Sequence, residues 1–189
     1  MLNIRKGGHR DLERWYNMFE VDFDEKELLP KLGLHTAISK GDAELLIIYD
    51  EDSKLELAYA LVLCRNIYGY VLLKYFGVLP WFREQGLGVQ AMRLINKRYA
   101  DRQGILAELT VFDDNEGGDY MRKLKRFFAR FGYEEVSCGY RLGGAEVFLT
   151  AKPIRGTAEI APVAKRIVMD FYSRFLRPSQ LDKMLVFTK

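Results

Sequence analysis

Apolar residues recur every three or four positions in several parts of the chain, which is the spacing of one face of a helix. The predicted helices span residues 11–23, 25–29, 86–102, 120–131 and 162–176. The last of them has a wide apolar stripe that must be buried somewhere. Pro30 ends the second predicted helix, and Gly33 and the polar run 39–42 are predicted to lie in loops.

Short runs of apolar and β-branched residues, bounded by turn-forming residues, predict strands between these helices. The predicted strands span residues 2–5, 44–50, 55–64, 70–79, 105–111, 133–136 and 146–150. Residues 51–54 form a turn, so the strands on either side of it should pair as a hairpin. The strand at 70–79 is apolar on both faces, which indicates that helices cover both faces of the sheet. The pattern predicts a mixed α/β fold.

Length, composition and charge exclude several classes of protein. With 189 residues the chain suits one domain or one domain with an appendage, and 49% hydrophobic residues are ample for a packed core. A net charge of +3 does not indicate a basic surface that binds nucleic acid. The start of the sequence lacks an apolar leader and no apolar run reaches 18 residues, so we expect a soluble, cytoplasmic protein that contacts no membrane. The chain has only two cysteines and two histidines, and their spacing predicts neither a disulfide framework nor a metal site. These residues are Cys64, Cys138, His9 and His35.

Residues 152–156 are predicted to be a linker, because lysine, proline and glycine there interrupt the apolar pattern. We therefore expect a domain at residues 1–152 and a helical extension at residues 153–189, with Pro162 in the first turn of the last helix. The apolar stripe of that helix would pack either on the domain or on a second subunit. The second arrangement would make the protein a homodimer.

The stretch VLPWFREQGLGVQAM, residues 78–92, passes from a strand through a turn into a helix. The first amides of a helix lack partners and carry partial positive charge, and glycine lets a ligand approach its backbone closely. Gly86 and Gly88 would expose consecutive amides there, and Arg83 adds a positive charge. This combination predicts a site for phosphate or pyrophosphate. Two glycines alone would favour a plain tight connection that binds nothing.

The spacing of the whole segment distinguishes these interpretations. It has neither the third glycine of the dinucleotide-binding G-x-G-x-x-G motif nor the Gly-Lys-Ser/Thr of the Walker loop. The pattern V-x-P-x-x-R-x-x-G-x-G, from Val78 to Gly88, resembles the acetyl-CoA loop of the GNAT acetyltransferase superfamily, in which R/Q-x-x-G-x-G/A joins the fourth strand to the third helix. The predicted order of elements agrees. The ending FFARFGYEEV resembles that superfamily's L-Y-x-x-x-G-F, with Phe128 at the usual tyrosine position, and the resemblance covers roughly residues 1–152.

The resemblance implies a fold and an activity. The fold is a central mixed, mostly antiparallel sheet whose parallel fourth and fifth strands splay apart, with helices on both faces and an additional C-terminal helix. The activity is an N-acyltransferase that moves an acetyl group from acetyl-CoA to a primary amine of a small molecule or peptide by direct attack, without a metal. The alternative is an acyl-CoA-binding sensor or regulatory module of the same fold, and a plain interaction domain that assembles through its last helix is a third interpretation.

The resemblance also implies where acetyl-CoA binds. The pyrophosphate would lie on the amides from Arg83 to Val89, and the pantetheine would lie between the splayed strands. The amide of Val78 or its neighbour would donate to the thioester oxygen. The residues implied to contact the coenzyme are Phe76, Gly77, Val78, Leu79, Arg83, Glu84, Gln85, Gly86, Leu87, Gly88, Val89, Asn115 and Phe128.

Three residues are candidates for proton transfer. Glu108 lies in the middle of an apolar strand, where a carboxylate is costly unless it is paired, and it is the first candidate for the general base. Lys74 on the proposed neighbouring strand could instead form a structural ion pair with it. Because Phe128 has no hydroxyl, either Tyr120 or Tyr75 protonates the leaving thiolate, or the thiolate leaves unassisted, or the protein is a poor catalyst. The pattern favours a packing role for Tyr120 over a catalytic one, and Tyr75 is similarly ambiguous.

Overall fold

The structure is a computed structural model that describes residues 1–110, 117–155 and 160–188. The strands are β1 (Leu2–Gly7), β2 (Ala43–Asp50), β3 (Glu56–Leu63), β4 (Tyr70–Val78), β5 (Gly104–Thr110), β6 (Glu134–Glu135), β7 (Tyr140–Leu142), β8 (Ala145–Pro153) and β9 (Leu185–Phe187). The helices are α1 (His9–Asp22), α2 (Lys31–Lys40), α3 (Leu87–Arg98), α4 (Gly117–Ala129), α5 (Ala161–Tyr172) and α6 (Pro178–Met184). Short 3-10 turns lie at Glu25–Glu27 and Pro80–Phe82.

The strands form one sheet in the order β1-β2-β3-β4-β5-β8-β7-β9, and β6 also pairs with β8. Within the described residues, β4 and β5 run parallel and the other paired strands are antiparallel. The predicted fold class, a mixed and mostly antiparallel sheet with parallel fourth and fifth strands, is confirmed.

The parallel pair separates halfway along its length. Strands β4 and β5 are paired only from Tyr70 to Leu73 and from Gly104 to Ala107. The next residue, Lys74, is an extra residue in the register between β3 and β4, which makes it a β-bulge. A bulge bends its strand and increases the local twist. Beyond it β4 stays with β3 and β5 stays with β8, so the predicted splay is present and begins at Lys74.

Helices cover both faces of the sheet. Buried side chains of α1, α2 and α5 pack with one face, and those of α3 and α4 pack with the other. The apolar stripe of α5 is fully buried against its own chain, through Ile167, Val168, Phe171 and Tyr172. Strand β9 then pairs with β7 at the edge of the sheet. No helix in the described part of the chain is long and apolar enough to cross a membrane.

Several parts of the chain differ from the sequence-based prediction. Strand β7 was not predicted, and β8 continues to Pro153, into the segment predicted to be a linker. Residues 31–40 form helix α2 instead of loop. This helix accommodates Gly33, buries only a narrow stripe through Leu34 and Ala37, and ends at Gly41 in the left-handed conformation with φ of 72°. The final predicted helix ends earlier, at Tyr172, and α6 and β9 follow it. Segments of three to seven residues are too short to show a clear period, which is why the sequence pattern missed them.

Candidate active site

The loop between β4 and α3 presents a row of backbone amides. Glu84 and Gly86 both have positive φ, 63° and 74°, and Gly86 caps the start of α3. Val89 and Gln90 donate the first intrahelical bonds, both to the carbonyl oxygen of Gly86. Among the described residues none accepts a hydrogen bond from the amides of Glu84 to Gly88. Such a turn of successive amides at a helix start favours an anion.

Arg83 connects this loop to the end of α1. Its Nε donates to the carbonyl oxygen of Val78 at 2.9 Å, and a terminal guanidinium nitrogen lies 2.8 Å from Oδ1 of Asp22. The other oxygen of Asp22 accepts a hydrogen bond of 2.6 Å from the hydroxyl of Tyr59. The positive charge predicted beside the amides is therefore present, and Asp22 balances it.

Beyond the splay, the backbone of β4 faces an open cleft. The amide of Leu79 donates to the carbonyl oxygen of Leu57 on β3. Antiparallel pairing alternates, so the N–H groups of Phe76 and Val78 point away from β3 and into the gap left by β5. Gly77 lies opposite Tyr59, and a Cβ atom there would come within 2.6 Å of the tyrosine ring, so only glycine fits.

The cleft has an outer and an inner part. The outer cavity, of about 380 Å³, is lined by Asp22, Phe23, Phe76, Gly77, Val78, Arg83, Gly88, Tyr120, Leu124 and Phe127. The inner cavity, of about 70 Å³, is lined by Asp22, Phe23, Glu27, Leu73, Lys74, Phe76, Glu108, Leu109, Thr110, Tyr120, Leu124 and Phe128. The shared lining residues make the two parts continuous, and the inner part ends where β4 and β5 diverge.

The residues that the sequence assigned to the coenzyme are brought together along this cleft. Phe76, Gly77, Val78, Arg83 and Gly88 line its outer part, and Phe128 lines its inner part. The remaining loop positions, Leu79, Glu84, Gln85, Gly86, Leu87 and Val89, lie in the turn and first helical residues that follow β4. Asn115 lies outside the described residues.

Glu108 is fully engaged at the inner end of the cleft. Its carboxylate accepts hydrogen bonds from Lys74 Nζ at 2.7 Å, the Tyr140 hydroxyl at 2.5 Å and the Tyr172 hydroxyl at 2.8 Å. The side chains of Lys74 and Glu108 are only 1% and 2% exposed. The ion pair between Lys74 and Glu108, which the sequence predicted as the alternative to a catalytic role for Glu108, is therefore present. With these donors in place, Glu108 has little capacity to accept a proton from a substrate.

The two candidate tyrosines occupy different environments. Tyr75 is buried on the opposite side of β4, and its hydroxyl accepts from the amide of Leu29 at 2.8 Å and donates to the carbonyl oxygen of Glu27 at 2.9 Å. Burial raises the pKa of Tyr75 well above its usual value, and this side chain does not line the cleft. Tyr120 lines both parts of the cleft, and burial raises its pKa as well. The geometry thus favours Tyr120 over Tyr75 as the proton donor.

Sequence reasoning missed Glu27, which the fold brings to the same cavity. This residue is 3% exposed and lies in the 3-10 turn between α1 and α2. Its Oε2 accepts a hydrogen bond from the Thr110 hydroxyl, whereas its Oε1 is buried without a partner among the described residues. Burial raises the pKa of Glu27, and the Thr110 hydrogen bond and the Lys74 charge oppose this effect. The surrounding acidic run, DEKE, gave no signal because it looks like a solvated segment.

A mixed sheet whose parallel strands splay open beside a row of amides at a helix start is the architecture of the GNAT acetyltransferases, and this chain has that fold. Solved structures with the same fold include a protein from Bacteroides thetaiotaomicron that is assigned to the GNAT family of acetyltransferases, with a TM-score of 0.65 and 14% identity over 87% of this chain and 93% of that one.

Two further similar structures have named substrates. A spermidine/spermine N-acetyltransferase from Vibrio cholerae has a TM-score of 0.60 and 12% identity over 81% of this chain and 94% of that one. The ribosomal-protein-S18-alanine N-acetyltransferase from Escherichia coli has a TM-score of 0.58 and 14% identity over 84% and 97%. No family model and no curated protein matches the sequence. At these identities the likeness establishes the fold.

Proposed function

We propose that this chain is an acetyl-CoA-dependent N-acetyltransferase that acetylates a primary amine of a small molecule or a peptide. The observation that carries the proposal is the row of amides from Glu84 to Gly88, which donate to no acceptor in the described ranges and lie at the mouth of a cleft between splayed strands. The similar structures named above are acetyltransferases, which supports the same chemistry on this fold.

In this proposal the pyrophosphate of acetyl-CoA binds the amides from Arg83 to Val89. The pantetheine then runs along the outer cavity and pairs with the inward N–H groups of Phe76 and Val78. The Val78 amide donates to the thioester oxygen and stabilises the negative charge that develops there during attack. Loss of one such donor commonly raises the barrier by about 2.7–4 kcal/mol.

The leaving thiolate needs a proton, and we assign its transfer to Tyr120. The position where the superfamily pattern has a tyrosine is Phe128, which is buried and has no hydroxyl. Tyr120 lies two helical turns earlier on α4 and lines both parts of the cleft. The absence of a hydroxyl at Phe128 also favours a second candidate function, a module that binds acyl-CoA without transferring the acyl group.

The acceptor is a separate question from the reaction. One similar structure is named for spermidine and spermine and another for the alanine of a ribosomal protein, so the same fold serves both small amines and protein amines. All of these acceptors present an amine to the thioester. The acceptor side of this chain is formed by α1, the 3-10 turn at Glu25–Glu27 and β5, which are the parts least covered by the loop motif.

Two measurements test the proposal. Acetyl-CoA should raise the melting temperature of the chain, and thiol release should follow when polyamines, amino acids, aminoglycosides or peptides are added. The variant Gly88→Glu should abolish the thermal shift, because it places a carboxylate in the outer cavity. The control Gln90→Glu adds the same charge at an exposed position of the same helix that does not line the cleft, and it should keep most of the shift.

Each outcome has a distinct meaning. A thermal shift without thiol release from any amine would identify the chain as the binding module. A chain that acetyl-CoA does not stabilise at all would refute both candidate functions.

A further inference from the structure

The inner cavity contains an unbalanced negative charge. Two buried carboxylates, Glu27 and Glu108, line it together with one ammonium group, that of Lys74. Lys74 is 2.7 Å from Glu108, so this pair is neutral overall. Within the part of the chain that the structure describes, Glu27 forms no ion pair. A buried carboxylate without a counter-charge is costly, and proteins retain such groups mainly where a ligand or a reaction uses them.

Among the described residues, one carboxylate oxygen of this cavity lacks a hydrogen-bond partner. Both oxygens of Glu108 accept hydrogen bonds from side chains, and Oε2 of Glu27 accepts from Thr110. Oε1 of Glu27 is buried, lacks a partner among the described residues, and belongs to a residue that lines the cavity. The remaining carboxylate of the lining, Asp22, is engaged by Arg83 and Tyr59.

We propose that Glu27 binds the ammonium group of the acceptor through Oε1 and takes its proton, so that Glu27 and not Glu108 is the general base. This assignment rests on the acetyl transfer proposed above. It places the base on the turn between α1 and α2, whereas the sequence placed it on β5. It also implies that the acceptor enters as a cation, because one ammonium group balances the charge of the cavity.

The backbone around Glu27 is held in place by buried tyrosines. The Tyr75 hydroxyl donates to the carbonyl oxygen of Glu27 and accepts from the amide of Leu29, and the Tyr16 hydroxyl donates to the carbonyl oxygen of Leu29. Thr110 fixes one carboxylate oxygen, and the other, Oε1, is buried without a partner among the described residues on a side chain that lines the cavity. A base that must accept a proton repeatedly in one geometry needs this kind of support. Tyr75 is thus a positioning residue.

The proton balance of the step is complete. The bound ammonium gives one proton to Oε1 of Glu27, and the nitrogen lone pair then attacks the thioester carbon. A tetrahedral intermediate forms, with its oxyanion at the Val78 amide. The C–S bond breaks, Tyr120 protonates the departing thiolate, and the second proton of the nitrogen passes to the Tyr120 oxygen and restores its hydroxyl. The products are the amide and free CoA, and one net proton returns to solvent through Glu27. Burial raises the pKa of Glu27, which makes its carboxylate a better proton acceptor.

The test compares Glu27→Gln with Glu25→Gln. Glu25 lies in the same 3-10 turn but is exposed and lines neither part of the cleft, so it is a matched control. Thiol release is measured from pH 5.5 to 9.5 with spermidine, lysine and a peptide that begins with alanine as acceptors. Acetyl-CoA binding is measured separately by calorimetry.

We expect Glu27→Gln to lower kcat about 100-fold or more and to leave the dissociation constant of acetyl-CoA unchanged. Its remaining activity should rise steadily with pH, because only amine that is already neutral can react. Glu25→Gln should match the wild type.

Three results would overturn the assignment. A Glu27→Gln chain as active as Glu25→Gln would remove Glu27 and leave the acetyl transfer intact. A variant that lost acetyl-CoA binding along with turnover would show that Glu27 only supports the fold. A wild-type chain that released no thiol with any acceptor would remove the proposed function and the base together.

Discussion

The ion pair between Lys74 and Glu108 makes a strong prediction about stability. The substitution Lys74→Met keeps a side chain of similar length but leaves the Glu108 carboxylate buried with only the hydroxyls of Tyr140 and Tyr172 as donors. The two charged side chains are 1% and 2% exposed, so the Glu108 carboxylate stays largely shielded from bulk solvent when the ammonium is removed. Removing one partner of a buried pair typically costs about 3–5 kcal/mol. A domain of this size loses about 2–4 °C of melting temperature per kcal/mol, so we expect a drop of about 6–20 °C.

Urea unfolding and calorimetry at pH 7 would measure this effect. The double variant Lys74→Met/Glu108→Gln removes both charges and keeps an amide oxygen that can accept from the tyrosines, so it should recover a large part of the loss. Lys123→Met on the exposed surface of α4 is the control, and it should change stability by less than about 0.5 kcal/mol. A cost below about 1 kcal/mol for Lys74→Met, or a double variant that loses as much as the two single variants combined, would refute this reasoning.

Three further predictions follow from the same cleft. Burial raises the pKa of Glu27, so the native chain keeps the carboxyl proton to higher pH than the unfolded chain, and wild-type stability falls as pH rises through this range. Glu27→Gln should therefore be more stable than the wild type at pH 7 and equally stable near pH 3.5. A variant that is less stable than the wild type at pH 7 in urea unfolding would contradict this prediction. Tyr120→Phe should lower kcat about 100-fold with little change in melting temperature, and unchanged kcat in the thiol-release assay would remove it as the acid. Gly77→Ala should cost about 1–3 kcal/mol, because its Cβ would lie 2.6 Å from the ring of Tyr59, whereas Gly88→Ala has 3.7 Å of room and should be nearly neutral in the same unfolding assay.

The sequence was most informative where local patterns and burial agree. The faces of α1 and the apolar runs of β2, β3 and β4 were predicted because each repeats its period over at least two turns or several strand positions. Gly86 and Gly88 predicted the row of amides, and the resemblance of the loop from Val78 to Gly88 to the GNAT loop implied the splayed sheet. Helix α2 escaped prediction because Gly33 interrupts a narrow stripe that buries only Leu34 and Ala37.

The sequence by itself therefore predicted the longer helices and strands and the turn of amides between β4 and α3, since these depend on neighbours within a few residues, and the resemblance of that turn to the GNAT loop predicted the class of fold. Only the tertiary structure decided which polar groups meet. Glu27 lies 83 positions from Thr110, and Tyr172 lies 64 positions from Glu108, yet each pair is joined by a hydrogen bond. The periodic pattern of apolar residues indicates which positions are buried. The hydrogen-bond partner of a buried polar residue is set instead by strand order, by the bulge at Lys74 and by the packing of α5. The environment of each carboxylate follows from those long-range contacts.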